Sequence, residues 1–559
     1  MKSIIQFKTA IPLLLITLAL LCLMPAPKAF GVSPPPDGGY PGGNTAEGQS
    51  ALLSRTTGIY NTANGIYSLL SLTDGSFCTG VGAGTLLLNT ADQNTATGAG
   101  ALLSNTTGAQ NTANGTFALF SNTTGISNTA NGALALLSNT TGSGNTANGF
   151  DALSSNTEGS GNTATGVQAL LNNTTGFSNT ANGDSALFNN TIGNGNTATG
   201  SDALSGNTDG SNNTATGVDA LSSNTIGSDN TANGAFALFA NTEGIENTAN
   251  GDSALENNTT GNANTATGFD ALLSNTVGIN NTATGVGALG TNTKGNGNTA
   301  NGVLALAFNT GDSNTANGFE ALFSNTTGTA NTAIGSGALV GNTSGVQNTA
   351  LGVAAGSAVT NASNVICIGF GVAGANVSNS CFIGNIRGVQ TQNVDAIPVL
   401  IDSAGQLGTI SSSRRFKKEI KPMDKASEAI LALKPVMFHY KSDTKDTPQF
   451  GLIAEEVATV DPDLVVREKD GEIYTVRYDA VNAMLLNEFL KEHRKVQQQD
   501  RKLCEQEATI VRLESAVAEQ QKMAVTFITQ LKGQAAQIEK VSAQLETSKQ
   551  APKVVLSNQ

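Results

Sequence analysis

Residues 111–127 read NTANGTFALFSNTTGIS, and this stretch recurs with small changes along more than half of the 559-residue chain. Copies of its Asn-Thr-Ala core begin at Asn44, at Asn61, at every seventeenth residue from Asn94 through Asn298, and at Asn314, Asn331 and Asn348. One step, between Asn298 and Asn314, has 16 residues, and the stretch around Cys78 is degenerate. So regular a period indicates one structural unit that is stacked many times.

The repeat predicts a mainly β fold with a long parallel β-solenoid, or β-roll, over residues 44–363. A unit of 17 residues with two glycines is too short for a helical hairpin and suits one coil with two short strands and two corners, because glycine allows the positive φ of tight corners. We expect the Ala of Asn-Thr-Ala and the Leu of Ala-Leu to point inward, and Asn and Thr to stack in ladders along the axis. Each coil buries little alone, so stability must come from stacking and from neighbouring chains.

Three functional interpretations of the repeat compete with a purely structural one. Its many Asn-x-Thr sequons could accept N-glycans, although their fixed place at each corner favours turn chemistry. Regular Thr columns could bind ice or glycans on a flat solenoid face, although Thr is also an ordinary strand former. Calcium-binding nonapeptide repeats need an aspartate in nearly every coil, and that pattern is missing. The structural interpretation is favoured.

Composition excludes several classes of function. The formal net charge is −13, and Lys294 is the only basic residue from Thr56 to Ile386, which argues against nucleic-acid binding by the repeat. The basic cluster Arg414–Lys418 is interpreted as a solvated face. No metal site or cofactor is predicted, because the cysteines lack paired ligand spacing and the chain has only two histidines.

The N-terminus has the layout of a secretory signal peptide. Lys2 and Lys8 precede an apolar run from Ile11 to Leu23, and cleavage is expected after Gly31. The run is short for a membrane span of about 20 residues, and no other stretch is apolar enough to cross a bilayer. We therefore expect a secreted or cell-surface protein. Four cysteines would remain, namely Cys78, Cys367, Cys381 and Cys504. Pairing of Cys367 with Cys381 stays open, with buried free thiols favoured.

One segment after the repeat has residue types that suggest a chemical reaction. Residues 411–420 read SSSRRFKKEI. A serine hydroxyl becomes a good nucleophile only when a base removes its proton. Lysine can be that base when burial or nearby positive charge lowers its pKa. The alternative is that Ser411–Ser413 forms a polar turn before a strand.

The residues that follow strengthen the reactive interpretation. They include Leu433–Val436 with Phe438 and Tyr440, the stretch FGLIAEEV at 450–457, PDLV at 462–465, and the Asp470–Gly471 turn before Tyr474 and Tyr478. The block from Ser411 to Tyr478 resembles the C-terminal intramolecular chaperone family of endosialidase tailspikes and phage tail fibres, which are self-cleaving serine peptidases. The repeats are similar to the heads of trimeric autotransporter adhesins, but we do not expect the C-terminal membrane barrel of those adhesins in this chain.

The resemblance implies a single-turnover endopeptidase with no external substrate. It places the catalytic pair at Ser412 and Lys417, a supporting role at Arg415, and the scissile bond between Ser411 and Ser412. Ser413 stands where the family often has aspartate, so the cut could also fall at a neighbouring serine. Glu455 and Glu456 could be paired acid and base carboxylates, but an exposed helix face is favoured.

The last segment has the pattern of a coiled coil. Apolar residues recur every seven positions, at Leu503, Ile510, Val517, Ala524, Leu531, Ile538 and Leu545. Companion positions alternate between apolar residues and glutamines, namely Leu513, Phe527, Val541, Gln506, Gln520 and Gln534. These heptads predict a coiled coil that begins near Asp479. They do not fix the number of chains, and three is implied by the resemblance.

The chain therefore divides into a signal peptide (1–31), a Pro/Gly-rich linker (32–43), the solenoid (44–363), a neck (364–410), an α+β chaperone module (411–478), a coiled coil (479–548) and a disordered tail (549–559). The leading prediction is an exported homotrimeric fibre or adhesin whose chaperone drives assembly and is then released. Its receptor would be a cell surface or a glycan. The alternatives are a non-cleaving fibre that keeps its trimerisation foot, or an ice- or glycan-binding solenoid.

Overall fold

A computed structural model describes residues 40–386, 397–402, 405–409, 411–468, 470–502 and 513–532. The predicted signal peptide, part of the neck, Cys504 and the heptad positions Leu503, Ile510, Ile538 and Leu545 lie outside these residues. The described chain forms two units, one that ends at Gly384 and one that begins at Asn385.

The first unit is a β-solenoid that contains a single sheet of 21 strands. Each strand pairs in parallel with the next strand along the chain, so the predicted parallel solenoid is confirmed. The strands β1–β21 are Thr45–Glu47, Thr62–Asn64, Thr79–Val81, Thr95–Thr97, Thr112–Asn114, Thr129–Asn131, Thr146–Asn148, Thr163–Thr165, Thr180–Asn182, Thr197–Thr199, Thr214–Thr216, Thr231–Asn233, Thr248–Asn250, Thr265–Thr267, Thr282–Thr284, Thr299–Asn301, Thr315–Asn317, Thr332–Ile334, Thr349–Leu351, Val365–Ile368 and Ser380–Ile383. The last two strands extend the sheet beyond residue 363.

Each coil contains one strand of three or four residues, and the prediction of two strands per coil is wrong. The rest of the coil is a chain of turns, because residues with left-handed backbone interrupt any second extended segment. In the coil of β5, Phe117 and Leu119 have φ of 58° and 53°. Hydrogen bonds to the next coil hold this conformation: the Leu119 N–H donates to the Ala135 carbonyl at 2.9 Å. A left-handed Leu is uncommon, and nothing in its local sequence predicts it.

Alanine and leucine fill the interior as expected. In the β5 coil, Ala113, Ala118 and Leu119 are fully buried, and the equivalent residues of neighbouring coils stack on them in one continuous core. The coils approach so closely that a Cβ atom on Gly115 would lie 2.4 Å from the Gly132 carbonyl oxygen. This contact explains why glycine follows every strand of the solenoid.

Two columns of asparagine are also buried in the solenoid. In the first column, which opens each coil, the Oδ1 of Asn196 accepts the backbone N–H of Asn213 at 2.9 Å. In the second column, the Nδ2 of Asn207 donates to Asn190 Oδ1 at 2.7 Å and to the Gly210 carbonyl at 2.9 Å. The predicted Asn ladders are thus present, but they lie inside. The asparagine side chains form hydrogen bonds with the polar backbone groups of the turns. Without these partners, the backbone groups could not be buried in an otherwise apolar core.

The asparagine column gives the first testable prediction. In Asn207→Val, Asn190 Oδ1 loses its partner, Asn224 Nδ2 loses its 2.7 Å acceptor and keeps the Gly227 carbonyl, and the Gly210 carbonyl keeps only its bond from Asn196 Nδ2. Each buried group left without a partner costs about 1–3 kcal/mol. We expect faster amide hydrogen exchange in the adjoining coils. The matched substitution Asn250→Val, at an exposed position, should leave exchange unchanged. Equal exchange in both variants would contradict the structural role of the buried column.

The second unit contains three antiparallel strand pairs and several helices. The pairs are β22 (Val399–Ile401) with β23 (Leu407–Thr409), β24 (Val436–Phe438) with β25 (Gln449–Gly451), and β26 (Val465–Arg467) with β27 (Ile473–Val476). The α-helices are α1 (Ala454–Val460), α2 (Tyr478–Lys502) and α3 (513–532), and short 3₁₀-helices cover Arg414–Phe416, Asp424–Ala432 and Pro462–Leu464. The segments that hold the predicted coiled coil are thus helical where they are described.

Candidate functional site

The predicted reactive segment lies on the surface of the second unit. Every residue from Ser411 to Ile420 is exposed. The Ser413 N–H donates to Ser411 Oγ at 3.2 Å, and the 3₁₀-helix Arg414–Phe416 follows directly. The serines therefore form a polar turn, as the alternative interpretation expects, but a 3₁₀-helix and not the expected strand follows them.

The described single chain does not bring the predicted catalytic pair together. Ser412 Oγ and Lys417 Nζ share no hydrogen bond within the described residues. Lys417 closes the 3₁₀-helix, where its N–H donates to the Arg414 carbonyl at 3.1 Å. The Arg415 guanidinium lies over the Phe416 ring at 4.6 Å from its centre. In this arrangement the segment lacks the burial that would favour a neutral lysine.

A small hydrophobic core lies within the second unit. Val457, Leu464, Val465, Val476 and Met484 are buried, and they join α1, the 3₁₀-helix Pro462–Leu464, the β26–β27 pair and α2. The predicted acid pair, Glu455 and Glu456, lies exposed in the first turn of α1. Their exposure agrees with a solvated helix face.

Several large apolar side chains of the second unit are exposed. Phe416 and Ile420 are 64% and 55% exposed, and Phe450 of β25 is 80% exposed. Single exposed apolar side chains are common on protein surfaces, and only a contiguous apolar patch marks an interaction site.

A polar cluster that the sequence analysis missed joins the 3₁₀-helix Asp424–Ala432 to α2. Ser427 is fully buried, and its hydroxyl donates to Glu488 Oε1. The Asn487 Nδ2 donates to Ser427 Oγ at 2.7 Å. The Lys491 Nζ lies 2.6 Å from Glu488 Oε1, 3.4 Å from Ser427 Oγ and 3.6 Å from Glu428 Oε1. We call Ser427, Asn487, Glu488 and Lys491 the polar clamp.

The polar clamp has a serine beside a lysine, but its electrostatics are those of a structural contact. The hydrogen bond from Lys491, with a second from Ser427, lowers the pKa of Glu488. The same Glu488 contact raises the pKa of Lys491. A lysine held in its charged form cannot serve as a base. The polar clamp therefore fixes the 3₁₀-helix Asp424–Ala432 to α2.

The polar clamp gives a second testable prediction. In Ser427→Ala, Glu488 and Asn487 each lose the hydrogen bond that joins them to the buried Ser427 hydroxyl. We expect faster hydrogen exchange across Asp424–Ala432, and no change for the exposed control Ser442→Ala. Unchanged exchange in Ser427→Ala would contradict the role of the clamp.

The polar clamp should also depend on pH. The lowered pKa of Glu488 contributes stability above the unfolded pKa of a glutamate, and this contribution is lost as the pH falls through the folded value. The raised pKa of Lys491 contributes stability below the unfolded pKa of a lysine, and this contribution is lost as the pH rises through the folded value. The clamp is therefore strongest between these two ranges.

The structure bears on two interpretations of the repeat, namely N-glycosylation at its sequons and a Thr-lined face that binds ice or glycans. Asn122, a sequon asparagine, is fully buried, and its Nδ2 donates to Asn105 Oδ1 at 2.6 Å and to the Gly125 carbonyl at 3.0 Å. The sequons of the buried column therefore cannot carry glycans in this fold. The Thr that opens each repeat strand faces outward, in register with the Thr of the next. An ice- or glycan-binding face remains an untested prediction.

The described cysteines are free thiols. Cys78 and Cys367 are buried free thiols, and Cys381 is an exposed one. Cys381 lies in register with Ile366, so it points away from the face that holds Cys367. Burial raises the pKa of Cys367 to about 11, with a smaller effect of Cys381. In the described residues, no helix is long and apolar enough to span a bilayer, and no group of three His, Cys, Asp or Glu side chains could hold a metal ion.

Comparison with known proteins confirms the resemblance of the C-terminal block to the endosialidase chaperone family. Residues 412–466 match the family described as chaperone of endosialidase. No curated protein and no solved structure matches the chain. The second unit thus carries a chaperone-of-endosialidase domain. The long β-solenoid and this domain fit the expected family of tail-fibre and endosialidase chaperones.

Proposed function

We propose that the chain is an exported homotrimeric fibre whose C-terminal unit drives assembly and is then cut off by its own Ser412 and Lys417. The observation that supports this proposal most strongly is the family match. It begins at Ser412, the residue that is expected to follow the cut. The family is one of self-cleaving chaperones. The mature product would be residues 32–411, secreted or held at the cell surface.

The proposed reaction is an attack by the chain on its own backbone. Lys417 Nζ takes the proton of the Ser412 hydroxyl, and Oγ attacks the carbonyl carbon of Ser411. The C–N bond breaks, the Ser412 nitrogen leaves as an amine after it gains a proton, and an ester joins the two parts. Water then hydrolyses the ester to a carboxylate at Ser411 and the Ser412 hydroxyl.

Assembly supplies the condition that the single chain lacks. Ser412 and Lys417 are exposed in one chain, beside exposed Phe416 and Ile420. Packing of three copies around these side chains would bury Lys417 and bring the basic neighbours of three chains together, and both changes favour a neutral lysine. Cleavage would then follow correct assembly and not precede it.

The helical segments support a role in trimerisation. In α3, Phe527, Ile528 and Leu531 are 52%, 51% and 42% exposed. Phe527 and Leu531 stand at heptad core positions, where knobs-into-holes packing with other copies would cover them. A second copy is the natural partner, because the heptad repeat is complementary to itself.

The proposal is tested by expressing the chain with and without its C-terminal unit. The full-length chain is expected to yield a trimeric shaft by light scattering, whereas a chain that ends at Ser411 is expected to yield monomers and aggregates. A trimeric shaft from the shortened chain would overturn the chaperone role.

A further inference from the structure

The outward side chain at the end of each solenoid strand changes character near the C-terminal end of the shaft. From β4 through β17 the last residue of every strand is Asn or Thr. In β18–β21 it is Ile334, Leu351, Ile368 and Ile383, each in register with the next. All four side chains are partly exposed. A polar column thus becomes aliphatic in the last four strands.

Exposed side chains widen this column into a patch. Val353 follows Leu351 by two residues and is 45% exposed, and Phe370 follows Ile368 in the same way and is 86% exposed. We call Ile334, Leu351, Ile368, Ile383, Val353 and Phe370 the terminal patch. A contiguous apolar surface of this kind marks an interaction site.

The distribution of charge indicates what covers the terminal patch. Residues 151–320 hold fourteen acidic residues and one basic residue, Lys294. Burial, and then the charge of Asp202, raises the pKa of Asp219. Two shafts side by side would bring such acidic surfaces together, which is unfavourable.

The terminal patch lies in a stretch without charge. From Ala321 to Ile386 the chain has no Asp, Glu, Lys, Arg or His. A partner of opposite charge would find nothing here to pair with, whereas an identical uncharged patch is complementary to it. The stretch is also the part of the shaft nearest in sequence to the unit with the predicted trimeric coiled coil.

We propose that the terminal patch is the surface through which three copies of the shaft contact one another, and that this contact holds the trimer together after the C-terminal unit is released. The inference rests on the proposed trimeric assembly. It assigns the permanent interface to the last four strands, on the shaft side of the predicted cut.

The test replaces the patch with residues that the shaft itself uses at the same position. The patch variant is Ile334→Thr, Leu351→Thr and Ile368→Thr. The control variant is Val218→Thr, Phe269→Thr and Val286→Thr, at exposed positions in earlier coils. Both are made in the full chain with Ser412→Ala and with a specific protease site inserted before Ser411, so that release does not depend on self-cleavage.

Light scattering before and after proteolysis gives the result. We expect every uncut chain to be trimeric. After the cut, the original-sequence shaft and the control variant should remain trimers, and the patch variant should fall to monomers. A patch variant that remains trimeric after release would overturn this inference alone. Monomeric uncut chains of the original sequence would overturn the proposed function and this inference with it.

Cysteine labelling separates lost contact from lost fold. Cys381 is exposed and lies two residues before Ile383 on the same face, whereas Cys78 and Cys367 are buried. In a Cys504→Ser background, a maleimide should react slowly with Cys381 in the released trimer and rapidly in the patch variant. Cys78 and Cys367 should stay unreactive in both, which shows that the solenoid is intact. Rapid labelling of Cys381 in the original-sequence trimer would contradict the placement of the interface.

Discussion

Replacing Ser412 with alanine is expected to leave the exported chain uncut, whereas the chain with Ser412 is expected to separate into a shaft and a C-terminal fragment. The hydroxyl of Ser412 is the proposed nucleophile, and loss of a nucleophile typically lowers the rate by roughly a thousandfold or more. Mass spectrometry of the purified intact protein measures the outcome directly.

The flanking serines provide matched controls. Ser411→Ala and Ser413→Ala should still cleave, because neither hydroxyl is assigned the attack. Lys417→Arg should not cleave, because arginine keeps its proton and cannot act as the base. If Ser412→Ala gives the same fragments as the original sequence, the assignment of the nucleophile is wrong. If Ser411→Ala or Ser413→Ala blocks cleavage instead, the site lies at that neighbour.

The released shaft is expected not to refold. After unfolding in denaturant and dilution, we expect recovery of trimeric shaft to be near zero, whereas the uncut Ser412→Ala chain should regain its trimer. The mature fibre would then be stable for kinetic reasons. Light scattering and circular dichroism after dilution measure both recoveries.

The physical reason is that the coils are nearly identical. The strand at Thr231–Asn233 pairs with Thr248–Asn250 in the same register in which Thr248–Asn250 pairs with the next strand. Little in such a sequence prevents a strand from pairing with the wrong coil, or with another chain, and misassembly of this kind is characteristic of repeat proteins. A C-terminal unit that aligns three chains at one end would set the register. Refolding of the released shaft as efficient as that of the uncut chain would contradict this explanation.

The sequence predicts the architecture of the shaft well, because a fixed period restricts the solutions to a few. The inward Ala and Leu follow from the repeat, and Ala113 and Leu119 are indeed buried. The number of strands per coil does not follow from the repeat, because it depends on the left-handed backbone at Leu119. That conformation is imposed by hydrogen bonds to the next coil and not by the propensity of leucine. The burial of Asn207 is likewise a consequence of turns that need internal partners.

The reactive segment is less predictable than the fold. The motif locates Ser412 and Lys417, and the family match begins at the first of them. Their mutual geometry is not a property of the local sequence, since both are exposed in one chain. The polar clamp cannot be predicted from the sequence, because Ser427 and Lys491 are 64 residues apart and belong to no motif.

The central claim is that assembly is followed by one cut at one bond. The most direct measurement is the N-terminal residue of the C-terminal fragment in the purified protein, together with the native mass of the shaft. The account predicts a fragment that begins at Ser412 and a shaft of three chains that each end at Ser411. An intact chain that contains residues 412–559, or a monomeric shaft, would contradict it.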